Sequence, residues 1–253
     1  MNLRPGVDTL RAGLVTLLVT SVAGAEIEGH LPGTVSSFGV VSGRVLYQGP
    51  LPQEEWVPVR KHRELCGEER PLGRYLVSAT GEVENAVVLL EGQAATFPLP
   101  GSEQAVAILD NRGCEFLPRI QVAQPLATLE VRNSDPILHS AHAYLQDGRT
   151  AFHVALPHFR DRTRTQLPQA GLLRIECDVG HTWMRAYILI SSSPFSAVTG
   201  RDGTFEIRGI PPGRYHLLAW HEAFGTIERE VSVLEGEHSN LTLVFRSGTE
   251  KSE

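Results

Sequence analysis

The 253-residue sequence predicts an all-β protein, built as one or two antiparallel sandwiches or barrels. Three observations carry that expectation. Apolar and polar residues alternate over short runs, turn residues separate the runs, and no segment sustains the 3.6-residue period of an amphipathic helix. Composition agrees: 42% of residues are hydrophobic and 21% charged, and the 24 Gly and 16 Pro are spread along the chain, which excludes a disordered or collagen-like protein.

The first 25 residues stand apart. Arg4 and Arg11 make a basic start, Ala12–Val22 is apolar, and Ala23-Gly24-Ala25 fits a small-residue cleavage site, so residues 1–25 read as a secretory signal peptide. The run is shorter than the roughly 20 residues that span a bilayer. A periplasmic or extracellular product that does not span a membrane after cleavage is therefore expected. Residues 36–98 form an N-terminal β segment with strands at Gly39–Tyr47 and Ala86–Glu91, and the polar stretch Glu54–Glu69 has room for one helical turn. Residues 104–192 carry strands at Ala105–Leu109, Arg119–Val122, Ala127–Arg132, Leu172–Asp178 and Arg185–Ile190. Residues 194–246 carry Phe205–Ile207, Arg214–Trp220, Thr226–Leu234 and Asn240–Phe245. Turn chemistry punctuates them at Asn133-Ser134-Asp135-Pro136, at Asp202-Gly203, read as a hairpin turn, and at Pro211-Pro212-Gly213.

The net charge of −6 comes with no basic block and only two lysines, Lys61 and Lys251. Nucleic acid and anionic membranes are excluded as partners, because such contacts need clustered cations to release counterions. An acidic surface suits a basic protein. Of three cysteines in an exported chain, one must stay unpaired or take up other chemistry. Cys66 and Cys114 are expected to form a disulfide that ties Arg60–Glu69 to the middle segment and leaves Cys177 free; the alternative is two separate buried thiols.

Cys177 shares a strand face with Leu173 and Ile175, so it points inward at the strand end. The loop after it reads Asp178-Val179-Gly180-His181-Thr182-Trp183-Met184, which holds a thiolate, an imidazole and a thioether as Cys-x3-His-x2-Met. Met184 is the only methionine beyond Met1. Soft sulfur suits Cu(I) and imidazole suits both oxidation states; a trigonal His2Cys set with a weak axial Met is the blue-copper pattern. A second His is required, and His139 and His142 follow the strand at Ala127–Arg132. Three apart, they fall on opposite faces of a regular strand, so one of them is admitted. His139, nearer the turn, is favoured, with His142 as the alternative ligand.

On these residues, Gly113–Ile190 resembles a cupredoxin, the family of plastocyanin and azurin. The resemblance covers Phe116-Leu117-Pro118, Leu129-Glu130-Val131-Arg132-Asn133 leading to a His, and the late strand with Cys177, His181 and Met184. It implies a Greek-key β-sandwich binding one copper through His139, Cys177, His181 and Met184. Ser140 departs from it, since plastocyanins carry Asn there, which puts the hydrogen bonding around the thiolate in question. The spacing also resembles the binuclear copper motif of cytochrome oxidase subunit two, but Leu173 stands where that motif has a further Cys, so a mononuclear site is expected. The tail, through Thr199-Gly200-Arg201-Asp202-Gly203-Thr204-Phe205 and Pro211-Pro212-Gly213-Arg214-Tyr215, resembles the carboxypeptidase regulatory-like domain, a transthyretin-like β-sandwich with Phe205, Ile207, Tyr215 and Leu217 inward. Gly39–Val45 and Asn85–Gly92 resemble the opening strands of that domain, so the cupredoxin is expected to be inserted into it; the alternative is three consecutive β units.

The leading functional expectation is electron transfer or copper binding in the cell envelope, with a redox protein such as a cytochrome as partner. The competing one is a metal-free structural, adhesion or carbohydrate-binding sandwich. A copper enzyme would need an open coordination position or more ligands, for which His142, His153 and His158 are the candidates. His153, His158, His216 and His221 otherwise read as surface or packing residues, and Trp183 as shielding beside the ligands. No His-x-x-Glu or His-Glu-x-x-His zinc motif occurs, so peptidase activity is not implied.

Overall fold

The computed structural model describes residues 37–92 and 106–247. The expected leader, Met1–Ala25, lies outside the described residues, as do Lys251 and the first residue of the strand expected at Ala105–Leu109. Among the described residues no helix is long and apolar enough to cross a membrane.

The N-terminal part supplies β1 (Gly39–Gln48), β2 (Trp56–Pro58), α1 (Arg63–Cys66), β3 (Glu69–Pro71) and β4 (Val87–Gly92). The middle part supplies β5 (Ala107–Asn111), β6 (Phe116–Leu117), β7 (Ile120–Ala123), β8 (Thr128–Asn133), β9 (His139–Tyr144), β10 (Thr150–Leu156), β11 (Arg162–Gln166), β12 (Gly171–Glu176) and β13 (Arg185–Ile190). The tail supplies β14 (Ser196–Val198), β15 (Thr204–Ile210), β16 (Gly213–His221), β17 (Gly225–Val233) and β18 (His238–Arg246). The all-β class and the two-sandwich build expected from the sequence are both present.

One sandwich joins the N-terminal and C-terminal parts of the described residues. Its sheets run β15-β1-β18 and β14-β4-β16-β17, and β4 lies directly between β14 and β16. Alternation explains the core: Val41 and Val45 from β1, Val88 and Leu90 from β4, and Phe205, Ile207, Tyr215 and Leu217 from the tail point into one cluster. Gly43 lets β1 and β18 approach, since a Cβ there would stand 1.9 Å from the Leu241 carbonyl oxygen.

The strands β5 to β13, between β4 and β14 in the chain, fold into the other sandwich, whose sheets run β10-β9-β12-β13-β7 and β11-β8-β5-β6. Leu109, Leu129, Val131, Ala141, Ala143, Leu173, Ile175 and Ile188 fill its core. The outer faces of β7 and β13 meet the outer face of the host sheet through Ile120, Val87 and Tyr187, with the Tyr187 ring edge-on to Trp220 at 5.3 Å.

Two expectations need correction. The sheets are mixed rather than antiparallel: β1 runs parallel to β18, β5 to β8 and β7 to β13. Such pairs need the chain to cross between sheets, which it does. Asp202-Gly203 is also not a hairpin turn. It links β14 in one host sheet to β15 in the other, and Pro211-Pro212-Gly213 carries the chain back. The Asp202 side chain accepts from the Thr204 backbone and hydroxyl, so the Asp-Gly pair builds a corner between sheets instead of a two-strand loop.

His221 sits in the host core, 1% exposed and stacked on Phe224. Its Nδ1 accepts from the Ala223 backbone N–H and its other nitrogen reaches the Glu84 backbone, so the neutral ring is fully partnered. Burial pushes its pKa down to about 4. The folded value lies below that of the unfolded chain, so this contribution to stability is intact above about pH 6.5 and is lost as pH falls toward 4, amounting to about 3 kcal/mol. Denaturation midpoints measured from pH 7 to 4 should fall less steeply for His221→Phe than for wild type; equal slopes would show that His221 is not the titrating group.

Candidate metal centre

Three donor atoms meet inside the inserted sandwich. His139 opens β9 with its side chain inward, Cys177 follows the last residue of β12 on the face of Leu173 and Ile175, and His181 lies in the loop to β13. All three are buried. The Cys177 Sγ lies 3.9 Å from His139 Nδ1 and 3.6 Å from His181 Nδ1, and the two nitrogens are 3.2 Å apart. Ligands bound to one ion at about 2.0–2.3 Å stand about 3.3–3.8 Å apart in a trigonal or tetrahedral set. The triangle is therefore close to coordination spacing.

Each ring is held from behind. His139 Nε2 lies 3.0 Å from Asp135 Oδ2. A carboxylate only accepts, so His139 carries its proton on Nε2 and turns the Nδ1 lone pair toward the sulfur. The two Asp135 oxygens also accept the Gly113 and Cys114 backbone N–H groups at 2.7 and 2.8 Å, fixing the carboxylate in turn. His181 Nε2 lies 3.0 Å from His62 Nδ1. His62 is the residue before α1, in a left-handed backbone conformation, and Cys66 at the end of that helix forms a disulfide with Cys114. Cys114 also takes the Trp183 Nε1–H on its carbonyl at 2.8 Å, which sets the Trp183 ring 5.2 Å from that of His181.

Electrostatics favour the ligand forms of both rings. Burial pushes His181 down to about 4, with the neighbouring His139, His62 and Lys61 acting in the same sense. Burial also lowers His139, against the opposing pull of Asp135. The Cys177 thiol is raised by burial, partly offset by the Ser140 and Val179 backbone N–H groups directed at the sulfur. At neutral pH the centre thus holds two neutral imidazoles and a protonated thiol. The Ser140 hydroxyl accepts the Asp178 N–H at 2.9 Å and lies 3.9 Å from the sulfur. That hydrogen bond stands where the resembled family carries Asn, and it pins the chain after Cys177 to β9.

Met184, the last residue of the same loop, is buried, and its N–H donates to the His181 carbonyl at 2.9 Å, closing a turn. His142 does not join His139: it lies on the outer face of β9, beside His153 and Asp178. His158 is exposed, His216 faces Glu228 at 3.5 Å, and His221 belongs to the host core. Asp135 and His62 were not singled out from sequence. Asp135 stood in a recognised turn four residues before His139, and His62 four residues before a cysteine expected to be tied to this segment; both signals were in the sequence.

No protein-family model and no curated protein matches the chain. Among solved structures it is similar to a copper-containing nitrite reductase from Thermus scotoductus SA-01, at 18% identity and a TM-score of 0.29, covering 34% of this chain and 22% of that one. It is similar to a purple cupredoxin from Nitrosopumilus maritimus at 17% identity and a TM-score of 0.29, covering 34% and 99%. A point mutant of amicyanin in its Cu(I) form is similar at 14% identity and a TM-score of 0.30, covering 41% and 98%. Likenesses of this strength leave the fold to rest on strand order and the site on its own geometry.

Because the thiol is protonated and both rings are neutral, an ion entering this triangle must expel the Cys177 proton. Calorimetry of Zn(II) binding at about pH 7 in two buffers of different ionisation enthalpy should show wild type releasing about one proton more than Cys177→Ser. Equal proton counts would remove the thiol from the centre.

Proposed function

We propose that the chain is an exported mononuclear blue-copper-type protein that acts in electron transfer or copper binding in the cell envelope. His139, Cys177 and His181 would hold the copper, and Met184 would add a weaker thioether donor. The observation that carries this reading is the buried triangle of two Nδ1 atoms and one sulfur, 3.2 to 3.9 Å on a side. Bound there, copper supplies a one-electron Cu(II)/Cu(I) couple. Asp135 and His62 hold the rings so that neither has to turn when the charge changes. Burial of all three donors keeps water out, which supports a carrier over an enzyme with an open coordination position.

The disulfide Cys66–Cys114 and the leader expected at Met1–Ala25 support an oxidising, exported setting. His181 is fully buried and His62 half-buried, so a redox partner, by charge a basic protein such as a cytochrome, would meet the His62 edge rather than the ligand itself. In this reading the host sandwich, transthyretin-like in its sequence pattern, is a scaffold.

Mature protein loaded with Cu(II) should show an intense thiolate-to-copper charge-transfer band in the visible spectrum, and Cys177→Ser should lose it. A folded wild type that takes up copper without the band would overturn the reading and favour a metal-free or differently liganded protein. Met184→Leu should keep the band and raise the reduction potential measured by cyclic voltammetry, because a donor that stabilises Cu(II) is gone. An unchanged potential would remove Met184 from the ligand set.

A further inference from the structure

A second group of ligand-type side chains lies on the outer face of the sheet that carries the first. His142 on β9 is directly opposite His153 on β10 and opposite Glu176 on β12. Asp178, two residues beyond Glu176, falls on the same face. His142 Nδ1 lies 2.7 Å from Asp178 Oδ2, and His153 Nε2 lies 3.4 Å from that same oxygen. The Tyr144 hydroxyl is 2.9 Å from His142 Nδ1. The other nitrogen of His142 is 2.8 Å from the Thr150 hydroxyl, which fixes the ring from behind as Asp135 fixes His139.

The arrangement is more than an ion pair. One carboxylate oxygen is shared by two imidazoles, and one ring nitrogen is approached by both a carboxylate and a phenol, so the donors crowd around a single point. Ligands bonded to one ion at about 2.0–2.2 Å stand about 2.8–3.6 Å apart in octahedral or tetrahedral sets, which is close to the spacing found. His142 has 16% of its side chain exposed, against 47% for His153 and 40% for Asp178, so one ligand is anchored and the site opens to solvent. We propose that His142, His153 and Asp178 form a second, surface site for a divalent transition-metal ion, Cu(II) or Zn(II), with solvent completing its coordination. Two imidazoles and one carboxylate with open positions suit such ions, and Cu(II) leads the affinity order over Ni(II) and Zn(II). Its carboxylate ligand would be the residue next to Cys177 in the chain. The proposal uses none of the first centre's ligands and stands whether or not copper occupies that centre.

The test is metal stoichiometry by calorimetry with Zn(II) and Cu(II), comparing wild type, His153→Gln and Cys177→Ser. His153 is exposed and belongs to no core, so His153→Gln should fold as wild type does. Wild type is expected to bind one more equivalent than His153→Gln, or that equivalent about tenfold or more tightly, while the visible band of Cu(II)-loaded His153→Gln stays unchanged. In Cys177→Ser the surface equivalent should persist, and His142→Gln should remove it as His153→Gln does. Equal stoichiometry and affinity in wild type, His153→Gln and His142→Gln would overturn the proposal and leave a hydrogen-bonded His–Asp cluster. Loss of the visible band in His153→Gln would show that the two sites are not separate, which also overturns it.

Discussion

Both ring nitrogens of two buried histidines must be satisfied while the pair faces a sulfur, and that requirement organises the loop end of the inserted sandwich. An unpartnered buried polar atom costs about 1–3 kcal/mol. Each histidine therefore needs an outer partner if its inner edge is to stay free for an ion. Asp135 fills that place for His139 and His62 for His181. Both supports run through Cys114: its N–H holds Asp135, its disulfide holds the helix that presents His62, and its carbonyl holds Trp183 against His181. The disulfide, remote from the donors in sequence, thus reaches both rings at once.

Much of the fold was legible because period-two alternation survives wherever a strand has one buried and one solvent face. Val41 and Val45, Leu173 and Ile175, and Tyr215 and Leu217 mark their strands in this way. Of the strands not expected from sequence, β10 does carry that signal, with Phe152, Val154 and Leu156 at alternate positions, but others lack it. β9 reads His-Ser-Ala-His-Ala-Tyr, where alanines take the inward places and histidines obscure the pattern; β11 reads Arg-Thr-Arg-Thr-Gln, polar throughout. β2 and β3 are three residues each, too short to show a period. Parallel pairing was illegible for another reason: it depends on which distant strand lies alongside, and β1 finds its partner at β18.

At the candidate centre, chemistry outran periodicity. Cys177 and His181 could be read from spacing within one loop, and the face rule separated His139 from His142. Their supports could not be read in the same way. His62 lies 119 residues from His181, and its place four residues before Cys66 is the one local sign of the link. His142 shows the difficulty well: the residue weighed only as a rival ligand for one cluster is the anchor of another, because the strand that turns it away from Cys177 turns it toward His153 and Asp178.

Insertion gives the loop that carries Cys177 and His181 a second mounting. Arg119 bonds Glu222 of the host through Nε at 2.6 Å and Nη2 at 3.0 Å, while Nη2 also reaches the Leu72 carbonyl at 2.9 Å and Nη1 the Arg185 carbonyl at 3.3 Å. Arg185 is the residue after Met184, and Leu72 follows β3, six residues after the disulfide-bonded Cys66. One guanidinium therefore joins the host hairpin, the exit of the Cys177–Met184 loop and the segment that carries His62. A buried pair of this kind adds little net stability, because desolvation offsets most of the attraction, whereas losing one partner costs about 3–5 kcal/mol. Its effect is to select position. With Tyr187 packed on Trp220 beside it, the host holds β13 in register with β7, and the loop between β12 and β13 is left with few ways to move. The proposed electron transfer, in which rings and sulfur would keep their places through a change of charge, needs that restraint, and it comes from the sandwich into which the donors' own domain is inserted.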